Sequence, residues 1–271
     1  MDIDQFWHSI RTNFFYKSPP KRCFFSRNLP GWASFMYYVQ VVTIIIEECI
    51  AEEKGEFNSE RFAKSSLAIL KTIESAGGKI EISGLEGVNK NGGPFVYIAN
   101  HMSMVDTFIL PCITMAFSDV TYVLKEGLLY YPIFGKLLKS INPIAVTRIN
   151  PRDDLRNVLK KGQELIAKGY SIIIFPQTTR SAVFDADLFN SLGVKLAGKA
   201  KVPVVPIALK TDFQSNGRIV KDMGAVKPGK TVCFKFGNPS YVGNKAGAVH
   251  KKVVNFIGEN LKAWGGEVKN L

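Results

Sequence analysis

The chain has 271 residues, 46% of them hydrophobic, which sets disorder aside and allows one large domain or two small ones. Its 35 Lys and Arg against 23 Asp and Glu give a formal charge of +12, pointing to a polyanionic partner: nucleic acid, an anionic membrane surface or a phosphorylated substrate. Zinc-type Cys/His spacing, an RNP-type aromatic run and a basic heptad region are all missing, so no nucleic acid partner and no metal site are expected.

Residues 1 to about 30 interleave aromatics (Phe6, Trp7, Phe14, Phe15, Tyr16, Phe24, Phe25) with cations (Arg11, Lys17, Lys21, Arg22, Arg27). That mixture suits a membrane interface, where rings sit at headgroup depth and cations meet anionic lipid; the competing reading is a satellite helix packed on the core. The start, Met1-Asp2-Ile3-Asp4, is acidic where a signal peptide is basic. Cys23, Cys49, Cys112 and Cys233 are far apart, with no disulfide or metal pattern, which implies a reducing compartment.

Between Arg27 and Glu47 no charge appears, and Trp32 to Ile46 is mostly apolar. As a helix this stretch reaches about 28 Å, close to one bilayer hydrocarbon core. Pro30, Gly31, Ser34, Gln40 and Thr43 weaken a full span, and one span would export everything after Glu47. The expectation is a helix that enters one leaflet without crossing, on the cytoplasmic face; a buried core helix is the alternative. A second helix is expected from Asn58 or Ser59, which can cap it, to Ser75, ended by Gly77-Gly78. The two make an N-terminal helical hairpin, and the domain division is drawn as 1–78 and 79–271.

After Gly78 short apolar strands alternate with helices. The predicted strands are Lys79–Ser83, Phe95–Ala99, Thr121–Leu124, Ile144–Thr147, Ser171–Phe175, Val204–Leu209 and Thr231–Phe236, and the predicted helices include Asp154–Lys168, Ser191–Lys201 and Ala246–Ala263. The alternation predicts an α/β domain with a mixed, largely parallel sheet flanked by helices. Ligands of such sheets gather at the carboxyl ends of strands.

Those ends carry the polar chemistry. After Phe95–Ala99 comes Asn100-His101-Met102-Ser103-Met104-Val105-Asp106. An imidazole with a carboxylate five residues on can be a base and its orienting partner; Ser103 with Asp106 three residues later is also a capping-box pattern. Arg148 closes another strand, and Thr178, Thr179, Arg180 and Ser181 follow Ile172-Ile173-Ile174. Forked guanidinium donors with hydroxyls suit a phosphate; a surface ion pair and an ordinary loop are the plain alternatives. Neither Gly-x-Gly-x-x-Gly nor a P-loop is present, which disfavours nucleotide-dependent chemistry. His8 and His250 have no partner at useful spacing and receive no role.

The order Asn100-His101-x-Ser103-x-x-Asp106, Arg148, Phe175-Pro176-x-x-Thr179-Arg180-Ser181 and Val202-Pro203-Val204-Val205-Pro206 resembles the glycerolipid acyltransferase family, whose best-known bacterial members act on 1-acylglycerol-3-phosphate. The resemblance covers about residues 80 to 210. It implies acyl transfer from an acyl-carrier protein or coenzyme A thioester, as co-substrate and without a cofactor, to the free hydroxyl of lysophosphatidic acid or another lysophospholipid. His101 would be the general base and Asp106 its orienting carboxylate, with N–H groups at the following helix start holding the oxyanion. Arg148, Thr179, Arg180 and Ser181 would hold the acceptor's phosphate, with Lys125, Gln177 and Thr178 as further binding candidates. The family's third motif usually reads Phe-Pro-Glu-Gly-Thr-Arg; Gln177-Thr178 here removes a carboxylate and a flexible glycine, which bears on acceptor choice. The second motif's usual Gly corresponds to Asn142. The alternatives are the same chemistry on a different lysolipid, and a catalytically silent lipid-binding protein.

Overall fold

The computed structural model describes residues 1–20, 31–131, 134–177, 179–217 and 223–271. Lys21, Arg22, Phe24, Phe25 and Arg27 of the expected interfacial segment, Cys23, and Thr178 of the expected anion site lie outside those residues.

The chain opens with α1 (Ile3–Asn13), closed by a capping box between Asp2 and Gln5. Ile3, Phe6 and Ile10 recur at helical spacing and are fully buried. Trp7 Nε1 donates to Cys112 O at 2.8 Å, and the Arg11 guanidinium donates to Ala116 O. Phe6, Trp7, Phe14 and Tyr16 therefore pack on the protein's own core, where burying Phe6 alone contributes roughly 2–3 kcal/mol. For these residues the membrane-interface expectation gives way to a satellite helix. β1 (Tyr16–Lys17) follows.

α2 (Trp32–Glu53) and α3 (Ser59–Ser75) are the expected hairpin. α3 is capped by Asn58, whose side chain accepts from Arg61 N, and is followed by Gly77 at φ +86°. α2 continues past the uncharged stretch through four glutamates to 22 residues, about 33 Å at the α-helical rise. It has two faces. Tyr37, Val41, Glu48 and Ala51 are buried, whereas Trp32, Phe35, Val39, Val42, Ile46 and Ile50 form an exposed apolar stripe.

From Lys79 the order is β2 (Lys79–Ser83), α4 (Glu86–Asn91), β3 (Val96–Ala99), α5 (Met104–Thr114), β4 (Val120–Lys125), a 3-10 turn (Glu126–Tyr130), α6 (Phe134–Ser140), β5 (Ile144–Val146), α7 (Pro151–Ala167), β6 (Ser171–Ile174), β7 (Val183–Asp185), α8 (Leu192–Ala200), β8 (Val204–Lys210), β9 (Thr231–Phe236), α9 (Ala246–Ala263) and β10 (Glu267–Lys269). Each of the seven predicted strands is present, with ends displaced by one residue at most. α7 starts three residues before the predicted Asp154, because Asn150 caps it and Pro151 takes the first helical position.

The described residues form an eight-stranded sheet in the order β1-β2-β9-β8-β3-β6-β4-β5, and β7 pairs with β10 apart from it. β3 is parallel to both β6 and β8, and β6-β4-β5 and β2-β9 are also parallel; β8-β9 and β1-β2 are antiparallel. The sheet is mixed and largely parallel, as the alternation of strands and helices predicted. β3 and β6 are buried throughout because both faces are covered. Tyr97, Ile173 and Val205 point into a cluster with α1, α2, α3 and α5. Val96, Ile98, Ile172 and Val204 point into a second cluster with α7, α8 and α9. β3, β4, β5, β6 and β8 thus end side by side, and the polar segments after them share one edge of the sheet.

Candidate active site

β3 is pinned where it ends. The Asn100 side chain accepts from Leu209 N and donates to Leu209 O, both at 2.8 Å, continuing the β3–β8 ladder by one side-chain rung. The next residue, His101, is released from the sheet at that point. α5 begins at Ser103, its N-cap, with Asp106 at the third helical position completing a capping box.

The carboxylate that completes the cap also meets the His101 imidazole. Asp106 Oδ2 accepts from Met102 N, from Ser103 N at 3.0 Å and from His101 Nδ1 at 2.9 Å. Oδ1 accepts from the Thr211 hydroxyl, which itself accepts from Ser103 Oγ at 2.9 Å. Asp106 is fully buried with four donors, so its charge is satisfied without water. A carboxylate only accepts, so His101 Nδ1 carries a proton in this contact, and in the neutral ring the lone pair is on Nε2. An imidazole in that state is a general base.

The loop after β6 holds His101 from three sides. Gln177 Oε1 accepts from His101 N at 2.7 Å, and Ser181 N donates to His101 O at 2.9 Å. The Phe175 ring stacks on the imidazole at 4.3 Å, and Tyr122 stacks behind Phe175. Since the acceptor on His101 N–H must be the Gln177 oxygen, the Gln177 amide nitrogen is left as a donor.

His101 lines a cavity of about 260 Å³. Lys125, Arg148, Gln177 and Arg180 line it as well, from the ends of β4, β5 and β6. Ile44, Ile45, Phe57, Phe62 and Ile69 of the hairpin, together with Phe108 and residues of α6, form an apolar wall. Glu48 is the carboxylate among the lining residues; burial pushes its pKa up, against the pull of Arg61, whose Nε lies 2.8 Å away. Arg148 is held in the left-handed region at φ +63°. Asp154 fixes that turn, accepting from Arg148 N at 2.7 Å and Thr147 N at 2.8 Å. Burial works against the Asp154 charge, but these hydrogen bonds prevail and hold its carboxyl below the usual range.

The structure therefore gathers His101, Asp106, Lys125, Arg148, Gln177 and Arg180, but not all the expected residues take the expected parts. Ser181 uses its N–H on His101 and its hydroxyl on Val183 N, and it does not line the cavity; it holds the imidazole in place. Thr179 is exposed and lies off the cavity wall. Of the N–H groups around the start of α5, Met102 N and Ser103 N are committed to Asp106 and Val105 N to Ser103 Oγ. Thr211 and Asp154 went unread in the sequence, although Thr211 directly follows β8 at the same sheet edge. His8 is exposed on α1, and His250 stacks on Phe189 between α9 and the 3-10 turn Ala186–Leu188. Among the described residues no cluster of His, Cys, Asp and Glu is fit for a metal ion.

Residues 79–210 match the family model described as Acyltransferase. A 1-acyl-sn-glycerol-3-phosphate acyltransferase of Pseudomonas aeruginosa is 38% identical over 141 residues, 52% of this chain and 53% of that protein. A chloroplastic protein of the same description from Arabidopsis thaliana is 34% identical over 131 residues, 48% of this chain and 36% of its own length. The chain thus spans about half, or less, of these curated relatives. The crystal structure of a 1-acyl-sn-glycerophosphate acyltransferase from Thermotoga maritima superposes with a TM-score of 0.60 at 19% identity, covering 86% of this chain and 95% of that one, so the fold is shared. Over residues 79–210 this chain is similar to the Acyltransferase family.

Proposed function

We propose that this chain moves a fatty acyl group from an acyl thioester to the free hydroxyl of 1-acylglycerol-3-phosphate, giving phosphatidic acid for phospholipid synthesis. One observation carries the reading. A carboxylate-held imidazole lines an apolar cavity together with Lys125, Arg148, Arg180 and the Gln177 amide.

His101 Nε2 takes the proton of the acceptor hydroxyl as its oxygen attacks the thioester carbonyl carbon. Asp106 stabilises the imidazolium that forms. The tetrahedral intermediate collapses with cleavage of the C–S bond, and the imidazolium returns the proton to the leaving thiolate. No acyl-enzyme is needed. Lys125, Arg148 and Arg180 hold the acceptor's phosphate, and the Gln177 amide is the neutral donor left for an anionic oxygen. The hairpin side of the cavity takes acyl chain. The thioester is carried by acyl-carrier protein or coenzyme A, and a +12 surface suits an acidic carrier. The exposed stripe of α2 lies in one leaflet on the cytoplasmic face, its buried face keeping it against the protein instead of across the bilayer.

The test is thiol release from an acyl thioester with lysophosphatidate as acceptor. His101→Ala is expected to cut the rate by about 10³-fold; release unchanged in that variant would overturn the mechanism. A different lysolipid acceptor is the second reading, favoured by Gln177, and transfer only to acceptors without a phosphomonoester would establish it.

A further inference from the structure

Two side chains beside the cavity mouth are exposed without an evident structural reason. Ile149 is 88% exposed on the β5–α7 turn, next to Arg148 of the cavity wall. That turn is firmly built: Asp154 holds Thr147 N and Arg148 N, and Ile149 N donates to Thr147 Oγ1 at 3.2 Å. Tyr130 is 72% exposed on the 3-10 turn after β4, while its neighbours Leu128 and Tyr131 line the cavity. Lys125 pairs with Val146 in the β4–β5 ladder, so both turns leave adjacent parallel strands at the same edge. A single exposed apolar residue is ordinary, but two of them flanking one cavity mouth, on neighbouring turns, are not.

The surroundings identify the occupant. Lys125, Lys139 and Arg152 are exposed on these segments, and Lys139 Nζ lies 5.6 Å over the Tyr130 ring. Aromatic and aliphatic tips among cations fit the headgroup layer of an anionic membrane. α2, with its exposed apolar stripe, packs against the same part of the protein. α6, which follows the Tyr130 turn, is tied to the end of α2 by Lys136–Glu53 and Ser140–Glu52 contacts, each at 3.2 Å.

We propose that Tyr130 and Ile149 are a second membrane contact, made by the α/β domain itself, which sets the cavity mouth against an anionic lipid surface so that a lipid acceptor enters sideways from the leaflet. The surface contact rests on exposure and charge; only the entry of an acceptor rests on the acyl-transfer reading. An acidic carrier protein would be met by the cations alone, and an isoleucine tip adds nothing to that contact.

The experiment uses the full chain with vesicles of equal parts phosphatidylcholine and phosphatidylglycerol, read by co-sedimentation. Tyr130→Ser and Ile149→Ser should each lower partitioning about tenfold, and the double variant more. The melting temperature should be unchanged, and so should activity on a short-chain lysophosphatidate dissolved as monomer. KM for a vesicle-borne acceptor should rise. Parent-like vesicle binding by the double variant would overturn the proposal, and a raised KM for acyl-carrier protein alongside that result would assign the patch to the carrier instead. If the parent transfers no acyl group while the variants still lose vesicle binding, the membrane contact stands and the acyl-transfer reading fails.

Discussion

The Thr211 hydroxyl donates to Asp106 Oδ1 from 105 residues further along the chain. The three remaining donors to Asp106 come from residues 101–103 and all meet Oδ2. Thr211 is thus the long-range tie that sets the carboxylate's angle against the imidazole. Thr211→Val keeps the shape and removes the donor, leaving Oδ1 buried without a partner. The expected result is a fall in kcat of about tenfold to a hundredfold with little change in KM, because base orientation and not substrate contact is lost. Thr211→Ser should restore most of the rate. Equal loss in both variants would mean that packing of the methyl group matters and the hydrogen bond does not.

Gln177 is tested by an isosteric pair. Gln177→Glu keeps an oxygen for His101 N–H, so the imidazole stays in place. It also puts a negative charge beside Arg148 and Arg180 on the same cavity wall. If the Gln177 amide meets the phosphate, KM for a phosphomonoester acceptor should rise roughly tenfold with kcat nearly kept, since one like charge now opposes it; a KM that falls would support the different-acceptor reading. Gln177→Leu removes the tie to His101 N–H and should lower kcat instead. If both variants raise KM alone, Gln177 has no part in holding the histidine.

The strands were legible because each is a short apolar run ended by a polar turn, and a sheet covered on both faces leaves no other place for Ile172-Ile173-Ile174. The His101–Asp106 contact was legible because the capping box and the imidazole–carboxylate pair share one spacing, and the structure puts both contacts on one carboxylate. α1 was misread because Phe6, Trp7, Phe14 and Tyr16 look alike whether they meet lipid or protein. Only the buried spacing of Ile3, Phe6 and Ile10 separates the two readings. Thr211 could not be assigned from the chain alone: a threonine after a strand carries no mark of the carboxylate it will reach. The oxyanion expectation narrowed for a related reason: Met102 N, Ser103 N and Val105 N have partners within the cap. A free helix start and a fully capped one read the same until each N–H is followed to its partner.

α5 contains Pro111, which cannot donate to Thr107 O. Tyr122 supplies the missing donor, its hydroxyl reaching Thr107 O at 2.9 Å. One residue on, Ser66 of α3 donates to Phe108 O and accepts from Cys112 N at 2.9 Å, standing between two groups that a regular helix pairs directly. Ser66→Ala leaves both backbone groups short of a partner in a buried place and should lower stability by about 1–3 kcal/mol. A lower denaturant midpoint at unchanged slope would show this. An unchanged midpoint would mean that the α5 ladder closes by itself once the hydroxyl is gone.

His250 gives the fold an acid-sensitive point. Burial holds its imidazole below the usual range, against a hydrogen bond with the Phe189 backbone that pulls the other way. The folded protein therefore takes up this proton less readily than the unfolded chain, and stability rises with pH wherever the unfolded chain holds more protons. Above the unfolded value of about 6.5 the group is neutral in both states and contributes nothing to the pH dependence. As pH falls below that value and through the folded pKa, the unfolded chain is favoured progressively. Urea midpoints of the parent and of His250→Gln, followed from about pH 8 to pH 5, should keep a constant difference at the neutral end and diverge at the acid end, with the parent losing more. A difference that stays flat across the range would show that His250 titrates alike in both states, and would place acid sensitivity elsewhere in the chain.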